Sequence, residues 1–596
     1  MNTTLTICLK NVKIVIYKAT FLCATALAIS NMGYAQISIP ADDISLADGY
    51  DMPSNTRTVT VIIPKSVSNA ECLADYAKAF DKPDYIPKYS DVVMRSLRFR
   101  PQNEGDSILH RNTFLAMDQF HVTRLEWTYL NNDSEILKVS EVLKSGRVFG
   151  SAVSCHPPAK DTTLCALTID GKSLVLKHHR QFRDIPGVGC MNKPGYFEQQ
   201  LEGYKKYVDL GIPVLQRDDP RQNSTAHELG GCFCPYCMVN FNQWLKKNVS
   251  DAELAANGID DLSKFNYKDY LIAIDAPAGD AFNNWDGGQL KKWFIKSNSL
   301  VDAQFFARLR AEIDKYAGKK YPISCNNTSY QQWTPTHKSF DWGYSEIIMK
   351  TAIPERIYER SYAARNIGKI QVYSPPKVLG MVIIPEEERY ITTRRATATC
   401  YATGGIMSVP WDVYEQTPSG GDRYFGTPEQ YADLFGFVRG IAPYLEKYEE
   451  VCAAGRNIAE QKLDGKSLFG ELPDGIFTFA RAIPNDKNAP VVIHIVNWND
   501  EPGSFSLELD KKLLFGGKSL KLTLLSPAEY SESYHIKAEK NAQKLRKEGT
   551  LFSMKESIAF SELIEKENLS CKEKNGKITI DIHELALWGV LIVEKL

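Results

Sequence analysis

From about residue 121 to residue 450 the chain alternates short apolar runs with stretches of helical period, and this alternation restricts the fold more than any other feature. TRLEWTY (123–129), VFGSAVS (148–154), IPVLQRDDP (212–220), YPISCNN (321–327), FDWGYSEI (340–347), KIQVYSP (369–375) and IMSVPWDVY (406–414) read as strands. Helical segments separate most of them. SEILKVSEVLKSG (134–146) and YFEQQLEGYKKYVDLG (196–211) stop at Gly146 and Gly211, and the second carries Phe197, Leu201, Tyr204 and Val208 on one face. VDAQFFARLRAEIDKYAG (301–318), PERIYERSYAARNIG (354–368) and TTRRATATCYATGG (392–405) follow. TPEQYADLFGFVRGIAPYL (427–445) opens with Thr427, Pro428 and Gln430 at N-cap, N1 and N3. A helix between strands carries the chain back to the end it started from, so the strands pair in parallel. About eight such units in about 330 residues predict an α/β fold, a (β/α)8 TIM barrel over 121–450, with a doubly wound sheet as the alternative. No G-x-G-x-x-G follows a strand and no Walker sequence is present, which removes support for a nucleotide or other organic cofactor.

The flanks have other textures. Residues 1–35 read as an export signal, with Lys10, Lys13 and Lys18 ahead of ATFLCATALAI (19–29) and small residues Gly33 and Ala35 at the cleavage positions. The mature chain then starts near Gln36 and is periplasmic or secreted. Residues 36–120 form a lead-in, with TVTVIIP (58–64) as a strand and ECLADYAKAF (71–80) as a helix. Residues 250–300 are an insertion rich in Asn, Asp and Gly. Residues 455–596 carry successive strand patterns, such as VVIHIVNW (491–498) and LWGVLIVEKL (587–596), and predict a C-terminal β-sandwich. No later run has the roughly 20 apolar residues of a membrane span. A net charge of −1 gives no basic footprint for nucleic acid.

In a barrel, chemistry collects at the C-terminal ends of the strands. Here those ends hold acids in polar and aromatic company: Asp218-Asp219, Glu346 after Trp342 and Tyr344, Asp412 after Trp411, and Glu386-Glu387 after VLGMVIIP (378–385). Other ends carry Trp127, His156, Asn326 and Asn327. No nucleophile elbow or H-E-x-x-H occurs. Acids, amides and tryptophans suit glycosidic cleavage, in which one acid protonates the leaving oxygen and a second attacks the anomeric carbon or activates water. Trp127, His156, Asn326, Asn327, Trp342, Tyr344 and Trp411 are the candidate sugar contacts, and carbohydrate is the expected partner. Three cysteines in GGCFCPYC, Cys232, Cys234 and Cys237, read as metal ligands, as a disulfide with a spare thiol, or as buried thiols.

VLQRDDP…GGCFCPYCMVNFNQWL resembles the β-galactosidases of glycoside hydrolase family 42. That family carries an Asn-Glu dyad at the end of barrel strand four, then C-x-C-x-x-C and an aromatic with W-L on the next helix. The resemblance implies a structural zinc on Cys190, Cys232, Cys234 and Cys237, with Cys190 directly before the helix 196–211. It extends weakly over 121–450, with SCNN (324–327) at strand five and GGIMSVPWD (404–412) near strand eight. The sequence departs from it where the dyad is Asp218-Asp219, which puts Asp219 at the position of the acid/base. It also departs at strand seven, where KIQVYSPPK (369–377) has Tyr373 or Ser374 in place of the nucleophilic Glu. Either VLGMVIIPEEE is strand seven, with Glu386 or Glu387 as nucleophile, or the second carboxylate is Glu346 or Asp412. Two other readings stay open: a catalytically silent glycan-binding barrel, and a polysaccharide lyase with Tyr373 or Tyr344 as base.

Overall fold

A computed structural model of the chain describes residues 45–46, 58–59, 83–95, 116–117, 119–128, 130, 139, 142–143, 146–153, 162–174, 188–218, 220, 223, 226, 230–328, 333–376, 384–411, 428–458, 465–528 and 564–596. Eight parallel strands lie side by side in chain order: β1 (Val93–Arg95), β2 (Arg124–Thr128), β3 (Val148–Val153), β4 (Val214–Arg217), β5 (Ile323–Asn326), β6 (Trp342–Ser345), β7 (Ile370–Tyr373) and β8 (Ile406–Met407). A parallel bridge between Val93 and Ser408 brings the first strand against the last, and the Val409 N–H donates to the Val93 carbonyl at 2.7 Å. This is the barrel the alternation predicts. Its first strand lies at residues 93–95, inside the segment expected to be a lead-in, so the barrel begins before residue 121. Its seventh is Ile370–Tyr373. VLGMVIIPEEE is therefore not the seventh strand, and Glu386 and Glu387 open the helix that follows it, α5 (Glu386–Ala402).

The other helices that matter here are α1 (Tyr196–Asp209), α2 (Pro235–Asn248), α3 (Gly288–Ala317), α4 (Pro354–Arg365) and α6 (Pro428–Gly440). Helix α3 begins well before residue 301. Its first turns bury Leu290, Trp293 and Phe294, and Phe294 packs on Phe233, Phe241 and Tyr267 with ring centroids 5.0–5.6 Å apart. Part of the polar insertion is thus helix, held by an aromatic cluster that local polarity does not reveal. Among the described residues no helix is long and apolar enough to cross a membrane.

After the barrel come β9 (Glu449–Ala454), β10 (Ile476–Ala482), β11 (Val491–Asn497), β12 (Gly503–Asp510), β13 (Leu520–Pro527), β14 (Ile564–Leu569), β15 (Cys571–Lys574), β16 (Lys577–Leu585) and β17 (Trp588–Lys595). They form a six-stranded sheet in the order β9-β10-β11-β17-β13-β14 and a three-stranded sheet in the order β12-β16-β15. Leu507, Leu509, Ile578, Ile580 and Ile582 of the small sheet share one core with Ile493, Ile495, Leu591 and Val593 of the large one. The other face of the large sheet joins the barrel's core through Val492, Val496, Trp588 and Val590. Burial on both faces explains why β11 is apolar nearly throughout, whereas β16 alternates. Trp588 is the anchor of this junction. Its ring meets Phe437 of α6 edge-on at 4.9 Å and stacks toward Tyr401 of α5, and its indole N–H donates to His494 Nδ1 at 3.3 Å. Trp588→Ala is expected to cost about 3–5 kcal/mol, read as a lower urea midpoint. A midpoint unchanged within error would show that the sheet does not brace the barrel.

Candidate active site at the barrel mouth

Inward-facing residues are identified by contacts between strands that are not neighbours. Glu126 on β2 accepts from Ser324 Oγ on β5 at 2.6 Å and from Trp342 Nε1 on β6 at 2.8 Å, and its other oxygen meets Arg124 Nη2 at 2.9 Å. These contacts cross the barrel axis. Glu126 and Arg124 are fully buried, and Arg124 Nη1 also donates to Tyr85 Oη at 3.2 Å and lies 4.0 Å from Asp91 Oδ2. The pair forms the floor.

Two residues further along each strand, the next inward side chains reach the C-terminal mouth. Asn326 on β5 is in register with Tyr344 on β6. Asn326 Nδ2 donates to Asp218 Oδ1 at 3.0 Å, just past the end of β4. Just past the end of β6, Glu346 accepts from Arg95 Nη1 of β1 at 2.8 Å, across the mouth, and the Glu346 N–H donates to Thr328 Oγ1 at 2.6 Å. The register of β2 against β3 shifts between Leu125 and Thr128, and within that bulge Trp127 adopts φ 58°. A bulky side chain rarely takes this left-handed conformation, and bulges recur beside active sites because they re-aim a side chain. Here the bulge turns the indole across the barrel. Its ring lies 3.9 Å from the Arg95 guanidinium carbon and meets the Tyr344 ring edge-on at 5.1 Å. Tyr344 donates to Ser408 Oγ at 2.9 Å, and burial pushes its phenol well above the usual range.

The mouth thus gathers Asp218, Glu346, Trp127, Tyr344 and Asn326 from the sequence candidates. Arg95 was not among them; the one signal for it was the short run VVM (92–94) directly ahead of it. Other candidates lie elsewhere. Trp342 is fully buried, its N–H committed to the floor. Asn327 points to the outer side of the sheet, where it exchanges two hydrogen bonds with Gln371 at 2.8 and 3.0 Å. Trp411 is buried against Phe120. Tyr373 is fully buried on the outer side, bonded to Ser361 of α4 at 2.8 Å, and burial holds its phenol well above the usual range. A buried, bonded phenol is a poor base, so neither Tyr373 nor Tyr344 favours the lyase reading. Glu387 is exposed in the first turn of α5. Asp219, His156, Asp412 and the Glu386 side chain lie outside the described residues, as do residues 1–35.

Behind the β4 end, Cys190, Cys232, Cys234 and Cys237 are buried with their sulfurs within 4.8 Å of one another. Cys190 Sγ lies 3.6 Å from Cys234 Sγ and 3.4 Å from Cys237 Sγ. Disulfide sulfurs lie about 2.0 Å apart, whereas four thiolates around one ion at about 2.3 Å sit about 3.8 Å apart. The donors also suit thiolates: Asn192 Nδ2 and the Cys237 N–H point at Cys237 Sγ (3.3 Å) and Cys234 Sγ (3.4 Å). Hydrogen bonds from the thiols of Cys190, Cys232 and Cys237 hold Cys234 well below the usual thiol range, while burial pushes Cys190 well above it and hydrogen bonding to the other thiols does the same to Cys237. The four cysteines can hold a metal ion. Cys234 also caps α2, and Asn223, on the chain leading from β4, accepts from the Met191 N–H at 2.9 Å, so the cluster and the strand end are tied together.

No protein-family model matches the chain. The α-agarase of Thalassotalea agarivorans is 29% identical over 308 residues, covering 46% of this chain and 20% of that protein. The α-agarase of Alteromonas agarilytica is 30% identical over 261 residues, covering 40% of this chain and 17% of that protein. The chain thus spans about a fifth of the length of the curated relatives it matches. Among solved structures, α-L-fucosidase isoenzyme 2 from Paenibacillus thiaminolyticus aligns with a TM-score of 0.47 at 10% identity, over 86% of this chain and 100% of that one. A GH27 β-L-arabinopyranosidase from Geobacillus stearothermophilus aligns at 0.40 and 6%, over 85% and 97%. Superposition at that level assigns nothing to this chain.

Proposed function

We propose that the chain is an exported glycoside hydrolase acting on polysaccharide at the barrel mouth, with agar the first substrate to test. The observation that carries the reading is the convergence of Glu346 and Asp218 on one mouth, flanked by Trp127 and Asn326. A carboxyl beside the scissile oxygen supplies the proton, and a second carboxylate attacks the anomeric carbon or activates water. Asp218 and Asp219 supply the first and Glu346 the second. Trp127 offers an aromatic face to a sugar ring, and Asn326 fixes Asp218. The sequence similarity to two α-agarases supports a glycosidic substrate.

The four cysteines hold a structural zinc in this reading. Four sulfur ligands close a tetrahedral ion and leave no open position for substrate, so its contribution is to brace the β4 end and the start of α2.

The test is release of reducing ends from agar and from a panel of other polysaccharides, with wild type beside Asp218→Asn and Asp219→Asn. Wild-type cleavage that falls at least ~100-fold in one of the two variants supports the reading. Glycan binding without any cleavage would instead favour the silent barrel, and products absorbing in the ultraviolet would favour the lyase.

A further inference from the structure

The two sides of the mouth differ in charge. Asp218 meets the neutral amide of Asn326, whereas Glu346 meets a guanidinium. We infer that Arg95 is a positioning residue that keeps Glu346 ionised, which makes Glu346 the attacking carboxylate or base and leaves proton donation to Asp218 or Asp219. The inference rests on the hydrolase reading above and assigns the roles within it.

The geometry is that of a fixed cation. Arg95 is 6% exposed and Glu346 12%, so solvent screens the pair weakly. The guanidinium carbon lies 3.9 Å from the Trp127 ring, which packs edge-on against Tyr344, and Tyr344 is anchored on Ser408. Strands β1, β2 and β6, with Ser408 just past the end of β8, therefore fix where the positive charge sits. Arginine stays protonated at any working pH, and its planar head suits both an aromatic face and a carboxylate edge. A carboxylate with such a partner at hydrogen-bond distance is held in its charged form. A proton donor needs the opposite: it must keep its proton near the working pH.

In the first step, the Glu346 carboxylate either bonds to the anomeric carbon or takes a proton from the water that does. The glycosidic C–O bond breaks with its electron pair going to the leaving oxygen. That oxygen takes its proton from the acid at 218–219, which ends as a carboxylate.

Among the described residues, the charged and titratable groups near Glu346 include Arg95 from β1, Glu126 and Arg124 from the β2 floor, Tyr344 from β6, and Asp218 beyond Asn326. Removing the Arg95 charge takes away the cation bonded to Glu346 at 2.8 Å, so protonation of Glu346 becomes easier.

The test is the pH profile of kcat/KM for wild type, Arg95→Gln and Arg95→Lys on a polysaccharide that wild type cleaves. Arg95→Gln is expected to raise the acid limb by about 1–2 pH units and to leave the alkaline limb in place. Arg95→Lys keeps the charge but loses the planar contact with Trp127. It should move the same limb the same way by less, and it serves if Arg95→Gln does not fold. A merely structural arginine would lower the rate and move neither limb. An unmoved acid limb, or a rise of the alkaline limb instead, overturns the inference and leaves the hydrolase reading standing. Absence of cleavage by wild type across all glycans tested sinks the hydrolase reading and this one with it.

Discussion

Glu346→Gln is expected to lower kcat by about 10⁴-fold or more while the protein stays folded. Loss of a nucleophile or base removes a group that touches the reacting atoms, and such losses fall at the upper end of single-residue effects. Glutamine is the right probe because its amide oxygen can still accept from Arg95 Nη1, which now bonds Glu346 at 2.8 Å. The backbone bond from the Glu346 N–H to Thr328 does not depend on the side chain. The variant still removes the Glu346 charge from beside a nearly buried guanidinium, which costs about 1–3 kcal/mol. Thermal melting should therefore show a modestly lower midpoint, and circular dichroism an unchanged fold. Alanine would confound the result, because it leaves Arg95 without that acceptor. Turnover within tenfold of wild type would remove Glu346 from the chemistry and return the search for a second carboxylate to Asp412 and Glu386.

Long-range pairing explains what the sequence could and could not say about this site. The strands at 123–129, 212–220, 321–327, 340–347 and 369–375 are legible because each is a buried run bounded by turn residues, and each is found within a few residues of its expected bounds. Strand β1 is three residues, Val93–Arg95, too short for periodicity to separate it from its surroundings. Missing it also hides Arg95, whose partner lies 251 positions away. Asn326 and Asn327 are neighbours in sequence, yet a strand's period of two sends one to Asp218 and the other to Gln371. Composition cannot choose between them; only the register of β5 can. Trp342 reads as a mouth residue because it precedes an acid, but the first inward position of β6 fills the barrel below its rim. The four cysteines are the converse case. C-x-C-x-x-C is local, and the family resemblance supplies Cys190 from 42 residues upstream of Cys232.

Those cysteines carry the second large expectation: the purified chain should contain about one zinc per molecule, and Cys190→Ser should lose both the metal and much of the barrel's stability. In small domains a structural zinc contributes about 10–16 kcal/mol at neutral pH, against about 5–15 kcal/mol for the whole stability of a typical domain. Cys190 sits just ahead of α1, while Cys232, Cys234 and Cys237 sit at the start of α2, so the ion would join two segments that flank β4. The Asn223 side chain, bonded to Met191 and to Asn298 of α3, extends that brace to a third element. Serine keeps the side chain's size and removes the thiolate, so the loss reports ligation rather than packing. Metal analysis and a thermal melt check it, with metal content expected near zero and a midpoint lower by several degrees at least. The pH dependence has a fixed sign. Bound thiolates resist protonation in the folded state, so the stabilisation is full at neutral pH and falls as acid protonates the ligands. An intact mass two hydrogens short per bridge, with no metal present, would make the cluster a disulfide and end the zinc reading. In that case Cys190→Ser should free a thiol that reacts with a thiol reagent after unfolding.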